Sequence, residues 1–254
     1  VWYPADSLRT PQGISPSEAP LPLFSLYLYR MGRRAADTPS RAAQESHVIA
    51  MRSAFAQQGM SCHVQHAHDS LIFRTSKGIP GSSSHSAIEL FPDESMKLTV
   101  PGVMLDHRTQ EEALSKISAL GIEVPSNALF IGATETLRRV TRMASLLDRY
   151  VRQRDISWTN YAVAYELENM AGVMLWSETE TYARYIEKHG MLFCGTTDCR
   201  SRIRYLDDGV HGSFRARQFA GSHFFEACGL PLGSPSKEDN DLVDALLRGE
   251  RGAN

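Results

Sequence analysis

With 254 residues, 42% hydrophobic and 22% charged, the chain has ordinary globular composition and enough length for one large core or two small ones. A formal net charge of −2 excludes the net basic excess that marks wholesale binding to nucleic acid or to an anionic membrane, so any cationic site has to be local. No apolar run approaches the roughly 18 residues of a spanning helix, and four scattered cysteines, Cys62, Cys194, Cys199 and Cys228, are too few for a disulfide framework and point to a reducing, intracellular compartment.

Residues 1–22 hold five prolines, each of which removes a backbone donor and disfavours helix at its predecessor. They predict an extended arm, with Trp2 and Tyr3 as candidates to dock on a partner. An opening Val1 is read as a processed or trimmed start, which allows an organellar destination after removal of an import sequence. "LFSLYLYRM" alternates as a strand does, with Phe24, Leu26 and Leu28 on one face and Leu23, Tyr27 and Tyr29 on the other. "SRAAQESHVIAMRSAFAQQGM" predicts a helix with Val48, Met51, Phe55 and Ala56 on one stripe and Gly59 as its stop. "CHVQHAHDSLIFRTS" predicts a single strand, "AIELFPDESMKLTV" a hairpin turning at Pro92-Asp93-Glu94-Ser95, and "TQEEALSKISALG" a helix. The expected fold class over 23–125 is α+β, an antiparallel sheet with helices packed on one face.

The segment 126–192 is expected to be helical: "NALFIGATETLRRVTRMASLLDRYVRQRD", "SWTNYAVAYELENMAGVMLW" and "SETETYARYIEKHG", capped at Asn127, Ser157 and Ser177. In 193–254, "SRIRYLDDGVHGSFRARQF" predicts a second β-hairpin around Asp208-Gly209, and "SKEDNDLVDALLRGERGAN" a short helix with a frayed end. These segments are compatible with packing as one domain with the rest.

"CHVQHAH" is the densest metal-like cluster. On one strand Cys62, His66 and His68 share a face and His63 takes the other. Zinc wants three or four ligands at recognisable spacing, and the only other close cysteine pair, Cys194 and Cys199, is remote, so the reading is half-exposed histidines beside one buried thiol, with no cofactor. There is no G-x-S-x-G elbow, P-loop, H-E-x-x-H or dinucleotide fingerprint. "GSHFFEACG" places Ser222, His223, Glu226 and Cys228 together, but triads are assembled in space and adjacency is not evidence. The chain reads as non-enzymatic, and a cysteine or metal hydrolase using Cys62, His66 and His68 ranks third.

Only five of the 27 basic residues are lysine, which suits a GC-rich coding sequence as well as any arginine-specific chemistry, so the placement of the arginines is more informative than their number. Leu137, Val140, Ala144, Leu147 and Val151 make one helical seam, and Arg138, Arg142, Arg149 and Arg152 recur on the opposite face. The predicted second hairpin adds Arg202, Arg204, Arg215 and Arg217 at alternate positions. A planar guanidinium binds carboxylate or phosphate through two parallel bonds, so both stripes are interaction candidates.

"SLIFRTS" (70–76), "AIELFPDESMKLTVPGV" (87–103) and "EEALSKISALG" (111–121) follow one another as the corresponding segments do in one half of a TATA-binding-protein-like saddle, which the stretch 70–121 resembles in part. Glu94-Ser95 stands where that family has Asn-Gly, and Pro101 interrupts its Thr-Gly pair. The resemblance implies a sheet whose underside enters a DNA minor groove with apolar wedges and flanking cations.

Two functions follow as expectations. The first is a non-enzymatic structural subunit of a larger macromolecular assembly, held to protein neighbours by its N-terminal arm and arginine faces, with Trp158 and Trp176 as further contact aromatics. The alternative is a saddle-type or arginine-faced nucleic-acid-binding protein. Protein purified without added metal is expected to hold no stoichiometric zinc or iron. Metal analysis finding one ion per chain, lost when His66 and His68 are both replaced, would promote the hydrolase instead.

Overall fold

The computed structural model describes residues 21–32, 41–76, 85–125, 128–195, 199–200, 204–205 and 236–248. In chain order these form β1 (Leu23–Arg30), α1 (Arg41–Gln57), β2 (Cys62–His66), β3 (Leu71–Thr75), β4 (Ala87–Leu90), β5 (Met96–Pro101), α2 (His107–Ala119), β6 (Leu129–Gly132), α3 (Ala133–Gln153), β7 (Tyr161–Glu168), β8 (Val173–Trp176), α4 (Glu180–His189), β9 (Cys199–Arg200), β10 (Arg204–Tyr205) and α5 (Lys237–Arg248). The protein is α+β. Its main sheet is antiparallel and runs β7-β1-β5-β4-β3-β2, with β9 and β10 as two-residue additions on the outer edge of β7. A small parallel pair, β6 and β8, forms the second sheet.

Register follows from the apolar pattern. Leu26 faces Leu98 on one side and Tyr165 on the other, and the same row continues through Ile88 and Phe73 to Val64. Side chains alternate across a strand, so this row and its neighbours, Phe24, Leu28, Met96 and Val100, all meet one core. Helices α1, α2 and α3 close it with Met51 and Phe55, with Ala113 and Ile117, and with the predicted seam from Leu137 to Val151, each of whose five members is buried. Helix α5 adds Leu242 and Leu246 to the same core and packs against α3 and α4. In α1 the inward stripe is Met51, Ala54 and Phe55, with Val48 half-buried and Ala56 exposed. Gly59 takes a left-handed φ of 64° just beyond the helix, as expected of its stop.

Three elements differ from the sequence reading. The stretch 62–76 is a hairpin, not one strand; it turns at His68-Asp69, where Ala67 N–H donates to the Ser70 carbonyl (2.9 Å). The stretch 157–176 is not a helix: Ser157 caps a 3-10 turn over Trp158–Asn160, and the rest forms β7 and β8. "YAVAYELE" alternates Tyr161, Val163, Tyr165 and Leu167 against smaller or acidic residues, and a strand in the middle of the chain's largest sheet satisfies that period of two better than a helix does. Thirdly, Leu129–Gly132, read as the opening of the first helix of 126–192, is strand β6, paired with β8, and the helix starts at Ala133. The helical reading of 126–192 therefore holds for α3 and α4 alone, and α4 is capped by Thr179, not Ser177. Of the predicted second hairpin only Arg204–Tyr205 is described, as β10; the arm with Trp2 and Tyr3, the cap Asn127, the residues Arg202, Arg215 and Arg217, and the Arg204 side chain lie outside the described residues. Among the described residues no helix is long and apolar enough to cross a membrane.

Leu98 is fully buried at the centre of the sheet. Leu98→Ala is expected to cost about 2–4 kcal/mol in equilibrium denaturation, and a loss under about 0.5 kcal/mol would be incompatible with this packing.

Candidate functional site

Polar side chains concentrate in two places. The first is the sheet face opposite the helical core. Pairing sets Glu89 beside Lys97 and Lys97 beside Tyr27, while Thr99, Ser25 and Glu166 form the adjoining row. All six are less than a tenth exposed. Tyr27 Oη donates to Glu166 Oε2 (2.7 Å), the Lys97 ammonium sits 5.1 Å from the Tyr27 ring centroid, and Ser70 Oγ donates to Glu89 Oε1 (2.5 Å). Burial first, and then the Glu166 carboxylate, push the Tyr27 phenol far above its ordinary range, so it remains a proton donor at any physiological pH. A phenol held in this way locks a carboxylate in position. It does not exchange protons near neutrality.

The second place is the arginine face of α3. Helical periodicity does put these residues opposite the buried seam, yet most of them are tied back to the protein. Arg142 Nη2 donates to the Gln58 carbonyl (2.5 Å), Arg149 Nη1 to Gln57 Oε1 (3.0 Å) and Arg154 Nη1 to Ser46 Oγ (2.8 Å). Two of these contacts fall at the C-terminal end of α1, where unspent carbonyls and the helix dipole favour a cation. Beneath them His47 Nδ1 and Tyr150 Oη, both buried, form a 2.6 Å bond between the same two helices. Arg152 pairs with Asp148, which also accepts from Trp158 Nε1 (3.0 Å). Trp158 and Trp176 are thus buried in the core and are not free contact aromatics.

Towards the start of α3 the arginines meet the open end of the β2–β3 hairpin. Glu135 holds Arg138 at 3.0 Å and Arg139 at 3.7 Å, and together with Arg142 these line a groove of about 410 Å³. Its far wall is Ser61 and Ser76, whose hydroxyls bond each other at 2.9 Å, with Thr75 and Ser86 beside them. Helical spacing in the sequence identifies Arg138 and Arg142 and pairs Glu135 with Arg138 and Asp148 with Arg152, as the structure has them, but it gives no sign of Arg139's role or of the serines.

The Cys62, His66 and His68 cluster is not assembled. Cys62 shares a face with Val64 and packs against the core, His66 is exposed on the same strand, and His68 lies in the turn, bonded to Asp69 at 2.6 Å. Burial raises the Cys62 pKa, with Arg52 opposing it, so the thiol is a poor nucleophile at neutral pH. Among the described residues no group of three or more His, Cys, Asp or Glu is placed to hold a metal ion.

Comparison with known proteins finds no match: no family model fits the sequence, and no curated protein or solved structure is significantly similar to it.

The buried phenol makes a pH prediction. Because the folded state raises the Tyr27 pKa, its contribution is complete below the unfolded value near 10 and is lost as pH rises beyond it. Tyr27→Phe is expected to lower stability at pH 7 by about 1.5–3 kcal/mol and to flatten the alkaline limb of the stability profile. An alkaline limb unchanged by the substitution would remove Tyr27 from that role.

Proposed function

We propose that this protein is a non-enzymatic interaction subunit that docks to an acidic protein neighbour in a larger assembly, through the outer face of α3. The observation that carries the reading is a local excess of charge. Between Ala133 and Asp155 six arginines face three acids, in a chain whose net charge is −2. That excess sits on a helix whose other face is entirely core, so the arginines have a rigid base. Each guanidinium has five N–H donors in a fixed fork, and Arg149, bonded through Nη1 to Gln57, presents a planar fork suited to a partner's carboxylate. The poor nucleophilicity of Cys62 weighs against a cysteine hydrolase.

A saddle-type nucleic-acid binder remains the second reading. It is favoured by the order of the matched segments, since β3, the β4–β5 hairpin and α2 lie in succession and the strands adjoin in one antiparallel sheet. Against it, the sheet face opposite the core carries Glu89 and Glu166, both buried, so it is not open to an approaching phosphate backbone.

Arg149→Glu with Arg152→Glu should release the subunit from its assembly, read by native mass analysis of material from the source. Both side chains are at least partly exposed, so the isolated fold should lose no more than about 1–2 kcal/mol. Purification of the unaltered protein as a free monomer that binds nucleic acid with steep salt dependence would transfer the assignment to the second reading.

A further inference from the structure

We propose that the groove between α3 and the open end of the β2–β3 hairpin is a binding site for a small-molecule phosphomonoester, its phosphate held by Arg138, Arg139 and Arg142. The docking reading counts these arginines in the charge excess of α3, but Arg149 and Arg152, on which its test is made, lie further along the helix and do not line this groove.

Charge is the first argument. Three guanidiniums and the single carboxylate of Glu135 leave two positive charges at the groove, which matches the charge of about −1.5 to −2 on a phosphomonoester at pH 7. A carboxylate or sulfonate ligand would neutralise only half of it. Glu135 spaces the forks as well as reducing their charge: one oxygen accepts from Arg138 at 3.0 Å and the other lies 3.7 Å from Arg139 Nε. Arg142 is braced from behind by the Gln58 carbonyl. Three cations of one sign are thus held together by an internal carboxylate and a backbone acceptor, not left to spread into solvent, and Arg139 is only about 24% exposed. The cost of gathering them is met in folding and does not fall on the binding step.

Hydrogen-bond capacity is the second argument. Ser61 and Ser76 donate and accept within one pair, and each hydroxyl has a further lone pair or a rotatable proton to offer. Phosphate oxygens accept from several donors at once, which suits a wall of hydroxyls facing a wall of guanidiniums.

The third argument is size and lining. About 410 Å³ lies within the range of roughly 300–1,000 Å³ for small-molecule sites. Met60 and Met143 complete the lining, and their polarizable thioethers suit an apolar or aromatic body attached to the phosphate. A groove of this kind fits one phosphate with its substituent. A nucleic-acid strand needs a track of cations, and the chain is acidic overall.

The test is titration of the full-length protein with phenyl phosphate at physiological salt, followed by calorimetry and amide NMR, with benzenesulfonate as the monoanionic control of the same shape. Saturable binding of one phenyl phosphate per chain is expected, with benzenesulfonate weaker by about tenfold or more and inorganic phosphate competing. Arg138→Gln with Arg139→Gln should weaken phenyl phosphate by about tenfold or more at an unchanged melting temperature. If that pair fails to fold, Ser61→Ala with Ser76→Ala, on exposed or half-exposed positions, should still weaken it several-fold. Failure of phenyl phosphate to saturate, binding unaffected by the altered residues, or binding only to oligonucleotides with an affinity that climbs with strand length would each overturn the proposal. None of these outcomes bears on release of the subunit by the Arg149 and Arg152 reversals, so the two readings fail separately.

Discussion

The eight residues of β1 are hydrogen-bonded along both edges, to β5 on one side and β7 on the other. Both partners are remote in the chain: Ser25 meets Thr99 across 74 residues, and Tyr27 meets Glu166 across 139. Closing such loops costs entropy that only cooperative burial repays, so the central three strands and their helical cover must form together. The placement of α3 follows from this pairing. That helix lies between β6 and β7 in sequence, and once β7 is seated beside β1 its apolar seam has to lie over Leu26 and Leu98.

Buried charge on the other face reinforces the register. A slip of one residue between β1 and β5 would turn Lys97 into the row of Leu26, Ile88 and Phe73 and would bring Leu98 out to face Glu89. Desolvating an ammonium among leucines is far more costly than leaving it beside Glu89 and over the Tyr27 ring. The polar row therefore adds little net stability and discriminates strongly against wrong pairings. The turn between β4 and β5 has a similar design. Glu94 adopts a left-handed φ of 65°, which a non-glycine residue resists, and its carboxylate lies 3.6 Å from Arg30 Nε, while Arg30 N–H donates to Ser95 Oγ at 2.9 Å. Arg30 lies over the Tyr161 ring, so one side chain ties β1, the turn and β7.

Helix α3 uses a single residue type in two ways. Arg142, Arg149 and Arg154 clasp α1, chiefly at the carbonyl-rich end of that helix, and Arg138 and Arg139 are gathered by Glu135 beside the hairpin. Lysine would serve poorly in either role, because an ammonium cannot bond a helix end with one edge of a planar fork and leave the other edge free. The preference for arginine along this face thus has a structural cause.

The sequence by itself determined the elements whose apolar period is clean: β1, α1, the β4–β5 hairpin, α2 and the α3 seam are each legible because one face is wholly apolar and the opposite one is not. It also set the class, since an antiparallel sheet with amphipathic helices has one economical packing. It did not determine 157–176: the period of two in "YAVAYELE" is present in the letters, but a long and mostly apolar run behind a cap at Ser157 also suits a buried helix, and pairing with β1 decided for the strand. Arg138 and Arg142 were visible as a stripe, but whether a guanidinium reaches solvent, a helix end or a groove depends on what folds up beside it, and Gln57, Gln58 and Ser61 stand far from them in the chain. Lys97, Glu89 and Glu166 were unremarkable as single letters. Only the register of three strands brought together charges whose pairing acts through space and leaves no mark in local sequence.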